Sequence, residues 1–137
     1  MGATTTADPE ALKRHIRDIP DFPKPGILFR DITPLLQHGP AFRQVIQHLA
    51  DRYRDKRLDA IAAVESRGLV FGAALAYELG VGLILVRKAG KLPAKTVQAK
   101  YTLEYGEGVL ETHADSLSAG KRVVEAFRVL DNRQHRL

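Results

Sequence analysis

The hydrophobic and polar positions in the central part of the chain repeat with helical spacing in some segments and form short continuous apolar runs in others. Helical spacing predicts helices over residues 40–54 and 69–79, and Gly80 is placed to close the second one. Continuous apolar runs over residues 59–64 and 81–86 are typical of buried strands. Strand, helix and strand in this order predict a right-handed crossover with parallel strands, the unit from which doubly wound α/β sheets are built.

The N-terminal flank has a weaker pattern. The sequence Asp8-Pro9-Glu10 is typical of the cap and first turn of a short helix, and an apolar helical face would extend from Leu12 to Ile19. The prolines that follow interrupt regular structure, so we expect a structured loop with only a short extended segment at residues 27–29.

The C-terminal flank predicts a hairpin and one more strand. Residues 100–105 and 108–111 resemble two antiparallel strands joined by a turn at Gly106-Glu107. A further strand is expected to begin at Arg122, and residues 125–130 have the composition of a short helix.

Composition and charge narrow the class of protein. The 137 residues fit one globular domain, contain no cysteine and have no apolar run long enough for a membrane span, so we expect a soluble intracellular protein without disulfides or thiolate sites. The five histidines have no metal-ligand spacing.

The net charge of +5 indicates an anionic partner. The residues between Glu78 and Glu104 include no acid but five cations, which are Arg87, Lys88, Lys91, Lys95 and Lys100. Only Tyr101 is available there to stack on a base, so a small polyanion is favoured over a nucleic acid.

The two segments at the ends of the predicted parallel strands carry the richest chemistry, and ligands of such sheets bind at those ends. Glu65-Ser66-Arg67-Gly68 joins a strand to a helix whose first amides attract anions; the alternative is a helix start capped by Ser66 with Arg67 solvated. The second segment, RKAGKLP at residues 87–93, suits a pyrophosphate or is a solvated basic loop.

Two other segments have candidate roles and equally simple structural explanations. Glu104 has aromatic and apolar neighbours that favour proton exchange, or it is an exposed carboxylate on a strand. The loop at residues 23–31 has a rigid turn and an aromatic side chain suited to a flat heterocycle, or it is pinned to the core with Arg30 paired to Asp31 or another acid.

The combination of four motifs resembles the adenine phosphoribosyltransferase family. The matching segments, spread over residues 12–124, are FPKPGILFRDITPL at 22–35, ESRG at 65–68, RKAGKLP at 87–93 and YTLEYG at 101–106. The resemblance implies a type I phosphoribosyltransferase-like fold, an α/β architecture with a parallel sheet flanked by helices and a projecting β-hairpin. It also implies a cytoplasmic homodimer that works in purine salvage.

The resemblance further implies the reaction and the residues that carry it. Adenine and phosphoribosyl pyrophosphate would give AMP and pyrophosphate, with Mg²⁺ bound together with the phosphoribosyl pyrophosphate. Leu28, Phe29 and Arg30 would bind adenine, and Glu104 would be catalytic by exchanging a proton with it. The pyrophosphate residues would be Ser66, Arg67, Lys88 and Lys91, with Arg87 reaching into the neighbouring subunit's site and Tyr105 closing the hairpin. No nucleic acid or membrane would be a partner, and no residue of the chain itself is assigned as a metal ligand.

The resemblance stops after Val124. In the family, the strand that begins at the equivalent of Arg122 leads to two adjacent acids and a Thr-Gly-Gly-Thr turn, which hold the ribose hydroxyls and the 5-phosphate. Residues 125–137 contain neither feature. We therefore expect an incomplete phosphoribosyltransferase-like domain at residues 1–124 and a divergent tail at 125–137, as in a C-terminally truncated or variant form. Two functions stay open at this point: an active transferase, or a noncatalytic form that binds or modulates a full-length subunit.

Overall fold

A computed structural model describes residues 8–103, 106–116 and 118–126 of the chain. The chain divides into two compact units, Met1–Arg52 and Tyr53–Leu137. No helix in the described ranges is both long and apolar enough to cross a membrane.

The first unit combines short helices with a two-stranded antiparallel hairpin. Its elements in chain order are α1 (Pro9–Lys13), β1 (Arg17–Pro20), β2 (Leu28–Asp31), α2 (Thr33–Gln37) and α3 (Gly39–Tyr53), the last ending one residue into the second unit. The predicted helix over residues 40–54 is confirmed, and Ala41, Ile46 and Ala50 are its buried positions. These positions share one helical face, which is the pattern that the sequence displayed.

The N-terminal flank differs from expectation beyond its first turn. The cap is confirmed, since an Asp8 carboxylate oxygen accepts the backbone N–H of Glu10 at 3.1 Å. The helix ends at Lys13, however, so the expected apolar face up to Ile19 is wrong, and Ile19 pairs with Phe29 between β1 and β2. Hydrogen bonding between the two strands gives this proline-rich segment a regular structure that its local pattern does not display.

The second unit is built on a mixed five-stranded sheet. Its elements are β3 (Ala60–Val64), α4 (Arg67–Leu79), β4 (Gly82–Lys88), β5 (Thr96–Leu103), β6 (Gly106–His113) and β7 (Val123–Ala126). The strand order is β5-β6-β4-β3-β7, in which β3 runs parallel to β4 and β7 while β6 runs antiparallel to β4 and β5. The predicted parallel pair and the predicted hairpin are therefore both confirmed.

Helix α4 packs against the parallel strands β3, β4 and β7. Its buried positions recur three and four residues apart and are Gly68, Phe71, Gly72, Leu75 and Ala76. Phe71 and Leu75 are fully buried together with Ile61 of β3, which forms the core of this unit. As predicted, Gly80 closes the helix, in a left-handed conformation with φ +71°.

Two boundaries on the C-terminal side were wrong in the sequence-based expectation. Gly106 and Glu107 lie in β6 and pair with Leu103 and Thr102, so they do not form the hairpin turn. The start of the expected helix over residues 125–130 belongs instead to β7, which pairs with β3, and residues 127–130 lie outside the described part of the chain. Both boundaries depend on pairing with distant strands, which a local pattern does not encode.

Candidate functional site

The carboxyl ends of β3 and β4 lie side by side. Val64 pairs with Val86 at the end of the parallel ladder, and the backbone N–H of Glu65 donates to the carbonyl of Val86 at 2.9 Å. The two segments that the sequence singled out, residues 65–68 and 87–93, therefore leave the sheet at the same edge. In open α/β sheets this edge is where ligands bind.

Glu65 connects the two segments. One oxygen of its carboxylate accepts the backbone N–H of Lys88 at 2.8 Å and the Arg87 Nε–H at 3.1 Å, and the carboxylate is almost fully buried. Burial acts to raise the pKa of Glu65, but the hydrogen bonds from Lys88 and Arg87, with added attraction from Lys91, lower it below its ordinary value. Glu65 is therefore ionised at neutral pH and fixes the end of β4.

Ser66 and Arg67 stand at the start of α4. The peptide bond between Glu65 and Ser66 is cis, Ser66 is exposed, and its side chain makes no capping hydrogen bond to the helix. The interpretation of Ser66 as a side-chain helix cap is therefore wrong. Arg67 is the first helical residue and is partly buried. An exposed hydroxyl and a guanidinium at a helix N-terminus are suited to an anion, because the first amides and the helix dipole add positive potential there.

We use the name basic loop for residues 87–95, which are the last two residues of β4 and the loop that follows them. The loop turns at Gly90 with φ +88° and at Ala94 with φ +67°, so its path is a defined one, and Lys88, Lys91 and Lys95 are exposed along it. A lysine side chain is flexible, and fixing the backbone from which it leaves reduces the ordering cost of binding an anion. This makes the contacts that hold the loop important for its chemistry.

Glu111 in β6 is a buried carboxylate that the sequence reasoning missed. Only 4% of the residue is exposed, and it receives hydrogen bonds from both the basic loop and β5. The Gln98 side chain lowers the pKa of Glu111, burial acts to raise it, and the backbone N–H groups of Leu92 and Gly90 lower it further, so that the pKa lies below its ordinary value. The signal available in the sequence was a single acid directly after two apolar residues, Val109 and Leu110.

The three residues expected at an adenine site lie together on β2, in the first unit. Phe29 is partly buried and meets Phe22 edge-on, with ring centroids 5.2 Å apart, whereas Leu28 and Arg30 are exposed. Successive strand residues point to opposite faces, so the ring of Phe29 lies on the other face from Leu28 and Arg30. Phe22 was not predicted as a site residue from the sequence, and together with Phe29 it forms an aromatic surface.

Arg30 has an acidic partner, as one alternative anticipated. Its Nε lies 3.4 Å from a carboxylate oxygen of Asp18, and both side chains are more than half exposed, so the pair is a weak one. Asp31 pairs instead with Arg17. Arg30 is therefore available to a ligand at small cost.

Asp31 fixes the passage from β2 to α2. One carboxylate oxygen accepts the backbone N–H and the hydroxyl of Thr33 at 2.9 and 2.8 Å, and the other accepts the Arg17 Nε–H at 3.0 Å. The Thr33 backbone N–H, the Arg17 side chain and the Thr33 hydroxyl together lower the pKa of Asp31 to about 2. The end of the strand that carries residues 28–30 is thus held by a buried, ionised group.

Two expected residues, Glu104 and Tyr105, lie outside the described part of the chain. Within the described part, no group of three or more His, Cys, Asp or Glu side chains is arranged to hold a metal ion.

Comparison with known proteins gives consistent matches. The phosphoribosyl transferase domain family matches residues 33–124. An adenine phosphoribosyltransferase from Roseiflexus castenholzii is 61% identical over 115 residues, which are 84% of this chain and 67% of that protein.

Comparison with solved structures also gives adenine phosphoribosyltransferases. The adenine phosphoribosyltransferase from Thermoanaerobacter pseudethanolicus superposes with a TM-score of 0.81 at 53% identity, over 85% of this chain and 67% of that one. The APRTase from Giardia lamblia complexed with 9-deazaadenine gives 0.82 at 32% identity, over 85% of this chain and 65% of that one. The chain thus spans about two thirds of the length of these proteins, and its mixed sheet is consistent with their type I phosphoribosyltransferase fold.

Proposed function

We infer that this chain transfers the ribose 5-phosphate unit of phosphoribosyl pyrophosphate to adenine, because it belongs to the adenine phosphoribosyltransferase family. The products would be AMP and pyrophosphate, a reaction of purine salvage. The observation that carries this proposal is the 61% identity to a relative of that name over 84% of the chain. The exposed cations at the carboxyl edge of the parallel strands support it, because the leaving group is a polyanion.

The pyrophosphate is proposed to lie against Ser66, Arg67, Lys88 and Lys91. Negative charge builds up on it as its bond to the ribose breaks, and fixed cations stabilise that charge more than water does because they need no reorganisation. Glu65 supports the arrangement by holding the Lys88 backbone beside the start of α4. The planar guanidinium of Arg67 can donate two parallel hydrogen bonds to a phosphate group, whereas each lysine ammonium contributes a compact positive charge.

The adenine is proposed to contact β2. The edge-on rings of Phe29 and Phe22 offer apolar surface for a flat base, and the backbone near Leu28 offers polar contacts at its rim. Because Arg30 starts from the other face of β2, its long side chain would have to reach around the strand to contact the same base. The weak ion pair between Arg30 and Asp18 leaves the guanidinium free to turn towards a ligand. Glu104 is proposed to exchange a proton with the base, and Tyr105 to help close the hairpin over the reacting atoms.

Magnesium is proposed only as an ion that arrives with phosphoribosyl pyrophosphate. We assign charge neutralisation by the protein to Arg67, Lys88 and Lys91, because these cations follow the carboxyl ends of the parallel strands β3 and β4. The cytoplasmic location, the homodimer and the division of the chain at Val124 also stay predictions. In such a dimer, Arg87 would have to exchange its Glu65 partner for a ligand in the neighbouring subunit's site.

The proposed catalytic role is tested by following radiolabelled adenine into AMP in the presence of phosphoribosyl pyrophosphate and magnesium. We expect AMP from the parent chain and a loss of about 10²-fold or more in kcat for Glu104→Gln, the size typical of a general acid or base. Glu107→Gln, in β6, removes the same charge and is expected to retain the parent rate. A parent that forms no AMP would overturn the proposed reaction, and a Glu104→Gln variant as fast as Glu107→Gln would overturn the role of Glu104.

A further inference from the structure

Glu111 lies beneath the basic loop, on the strand next to β4. It is opposite Arg87 in the β4–β6 ladder and is buried. Its carboxylate accepts hydrogen bonds from the loop and from β5, namely from the backbone N–H of Gly90 (3.1 Å) and of Leu92 (3.2 Å), from the Gln98 side-chain amide (3.0 Å) and from the Thr96 hydroxyl (3.3 Å). One side chain therefore holds the loop and the strand that follows it.

The two backbone contacts lie on either side of Lys91. Gly90 and Leu92 donate to the same oxygen of Glu111, so the peptide groups that flank Lys91 are fixed in position and direction. Gly90 reaches this geometry in a left-handed conformation with φ +88°, which glycine adopts without steric cost. Together with Glu65, which holds the Lys88 backbone, Glu111 determines where the two lysines leave the main chain.

Charge alone does not account for a carboxylate at this position. A negative group beneath a cationic loop weakens the positive potential that an anionic ligand would meet. The hydrogen bonds do account for it, because an ionised carboxylate is a strong acceptor for the partly buried backbone N–H groups of Gly90 and Leu92, which are costly to leave unpaired. Glu111 thus weakens the positive potential around the basic loop but stabilises the conformation of its backbone.

We propose that Glu111 is a positioning residue that holds the basic loop in the conformation in which Lys88 and Lys91 receive pyrophosphate. It acts through hydrogen bonds to Gly90 and Leu92 and does not touch the ligand. This inference rests on the proposed function, which assigns the two lysines to pyrophosphate.

The first test compares the affinity for inorganic pyrophosphate, with magnesium, in three variants of the full chain by titration calorimetry. Glu111→Met removes the charge and the acceptors at similar volume, and Glu111→Gln removes the charge but keeps an acceptor oxygen. The control Asp115→Asn removes an exposed charge in the turn two residues beyond the end of β6. If only charge mattered, all three would bind pyrophosphate more tightly than the parent. The proposal instead predicts binding about tenfold weaker or worse for Glu111→Met and within about threefold of Asp115→Asn for Glu111→Gln. Equal affinities for the two Glu111 variants would overturn it.

The second test follows amide hydrogen exchange by NMR and does not depend on a ligand. In the parent, the Gly90 and Leu92 amides are expected to exchange far more slowly than in an unfolded chain, and in Glu111→Met they lose this protection while Ala63 and Phe71 in the core keep theirs. Exchange at unfolded rates in the parent, or full protection of both amides in Glu111→Met, would overturn the proposal. Should Glu111→Met not fold, Glu111→Asp takes its place, because it keeps the charge but withdraws the acceptor oxygens by one methylene group, and full protection of both amides in that variant would overturn the proposal.

The two tests also separate this inference from the proposed function. A parent that binds no pyrophosphate would overturn the assignment of the loop to that ligand, and with it the ligand-positioning part of the proposal. The amide exchange would still decide whether Glu111 orders the loop.

Discussion

Three carboxylates hold the segments that carry the candidate ligand residues of the two units, although none of the three was assigned a role from the sequence. Asp31, Glu65 and Glu111 each accept at least one backbone N–H and each has a lowered pKa. An acid in a sequence is most often a solvated surface group, so its letter alone does not reveal such a role. What distinguishes these three is the loop or strand end that each one holds.

Asp31 makes the first unit sensitive to acid. Its pKa is lowered from 3.8 to about 2 in the folded chain, first by the backbone N–H of Thr33 and then by Arg17, so its stabilising effect is present above pH 3.8 and is lost as the pH falls towards 2. Asp31→Asn is therefore expected to be less stable than the parent at neutral pH, with the difference shrinking between pH 4 and pH 2. Urea unfolding followed by circular dichroism across this range measures it, with the exposed Asp55→Asn as a control that shows no such convergence. A parent–variant difference independent of pH would contradict this explanation.

Lys91 and Lys95 offer a comparison within the basic loop. Both are exposed and carry the same charge, but only Lys91 is flanked by the amides that Glu111 holds. We expect Lys91→Gln to weaken pyrophosphate binding by about tenfold, the loss of one charge-assisted contact, and Lys95→Gln to change it by less than about twofold. Calorimetric titration of both variants checks this, and equal losses would indicate that the loop attracts the anion by its net charge alone.

At the scale of elements, the sequence predicts the helices and strands whose pattern lies within a short stretch of chain. The β3, α4, β4 sequence and α3 were predictable because their apolar periodicity and the glycine at the end of α4 lie within short windows. The β1–β2 hairpin was not predictable, because residues 17–31 are rich in proline and their strands form through cross-strand pairs such as Ile19 with Phe29. Helix α2 was also missed, because five residues are too few to display a helical period. Its first residue is held by the Thr33 backbone N–H, which donates to the Asp31 carboxylate.

The end of α4 allows a test of backbone conformation free of packing effects. A methyl group added at Gly80 or at Gly82 would meet no atom within 4 Å, but Gly80 has φ +71° whereas no positive φ occurs at Gly82. Gly80→Ala is therefore expected to lower the free energy of unfolding by about 1 kcal/mol, and Gly82→Ala to leave it unchanged or raise it slightly. Thermal or urea melting of the pair decides this. Equal effects would mean that the helix end relaxes to another conformation.

At the scale of the whole molecule, the sequence located the edge of the sheet where the candidate pyrophosphate residues lie, but not the contacts that hold these residues in place. The positions of residues 65–68 and 87–93 followed from the rule that ligands bind at the carboxyl ends of parallel strands, and Glu65 confirms that the two segments meet. The support from Glu111 was not predictable, because it depends on the register of β6 against β4, which places this one residue under the loop.

The reaction itself is tested most directly by ³¹P NMR of phosphoribosyl pyrophosphate incubated with the parent chain, magnesium and adenine. The account predicts that AMP and free pyrophosphate appear together in equal amounts, and that neither appears when hypoxanthine replaces adenine. Pyrophosphate released without AMP, or no change in the phosphorus signals while adenine is present, would contradict it.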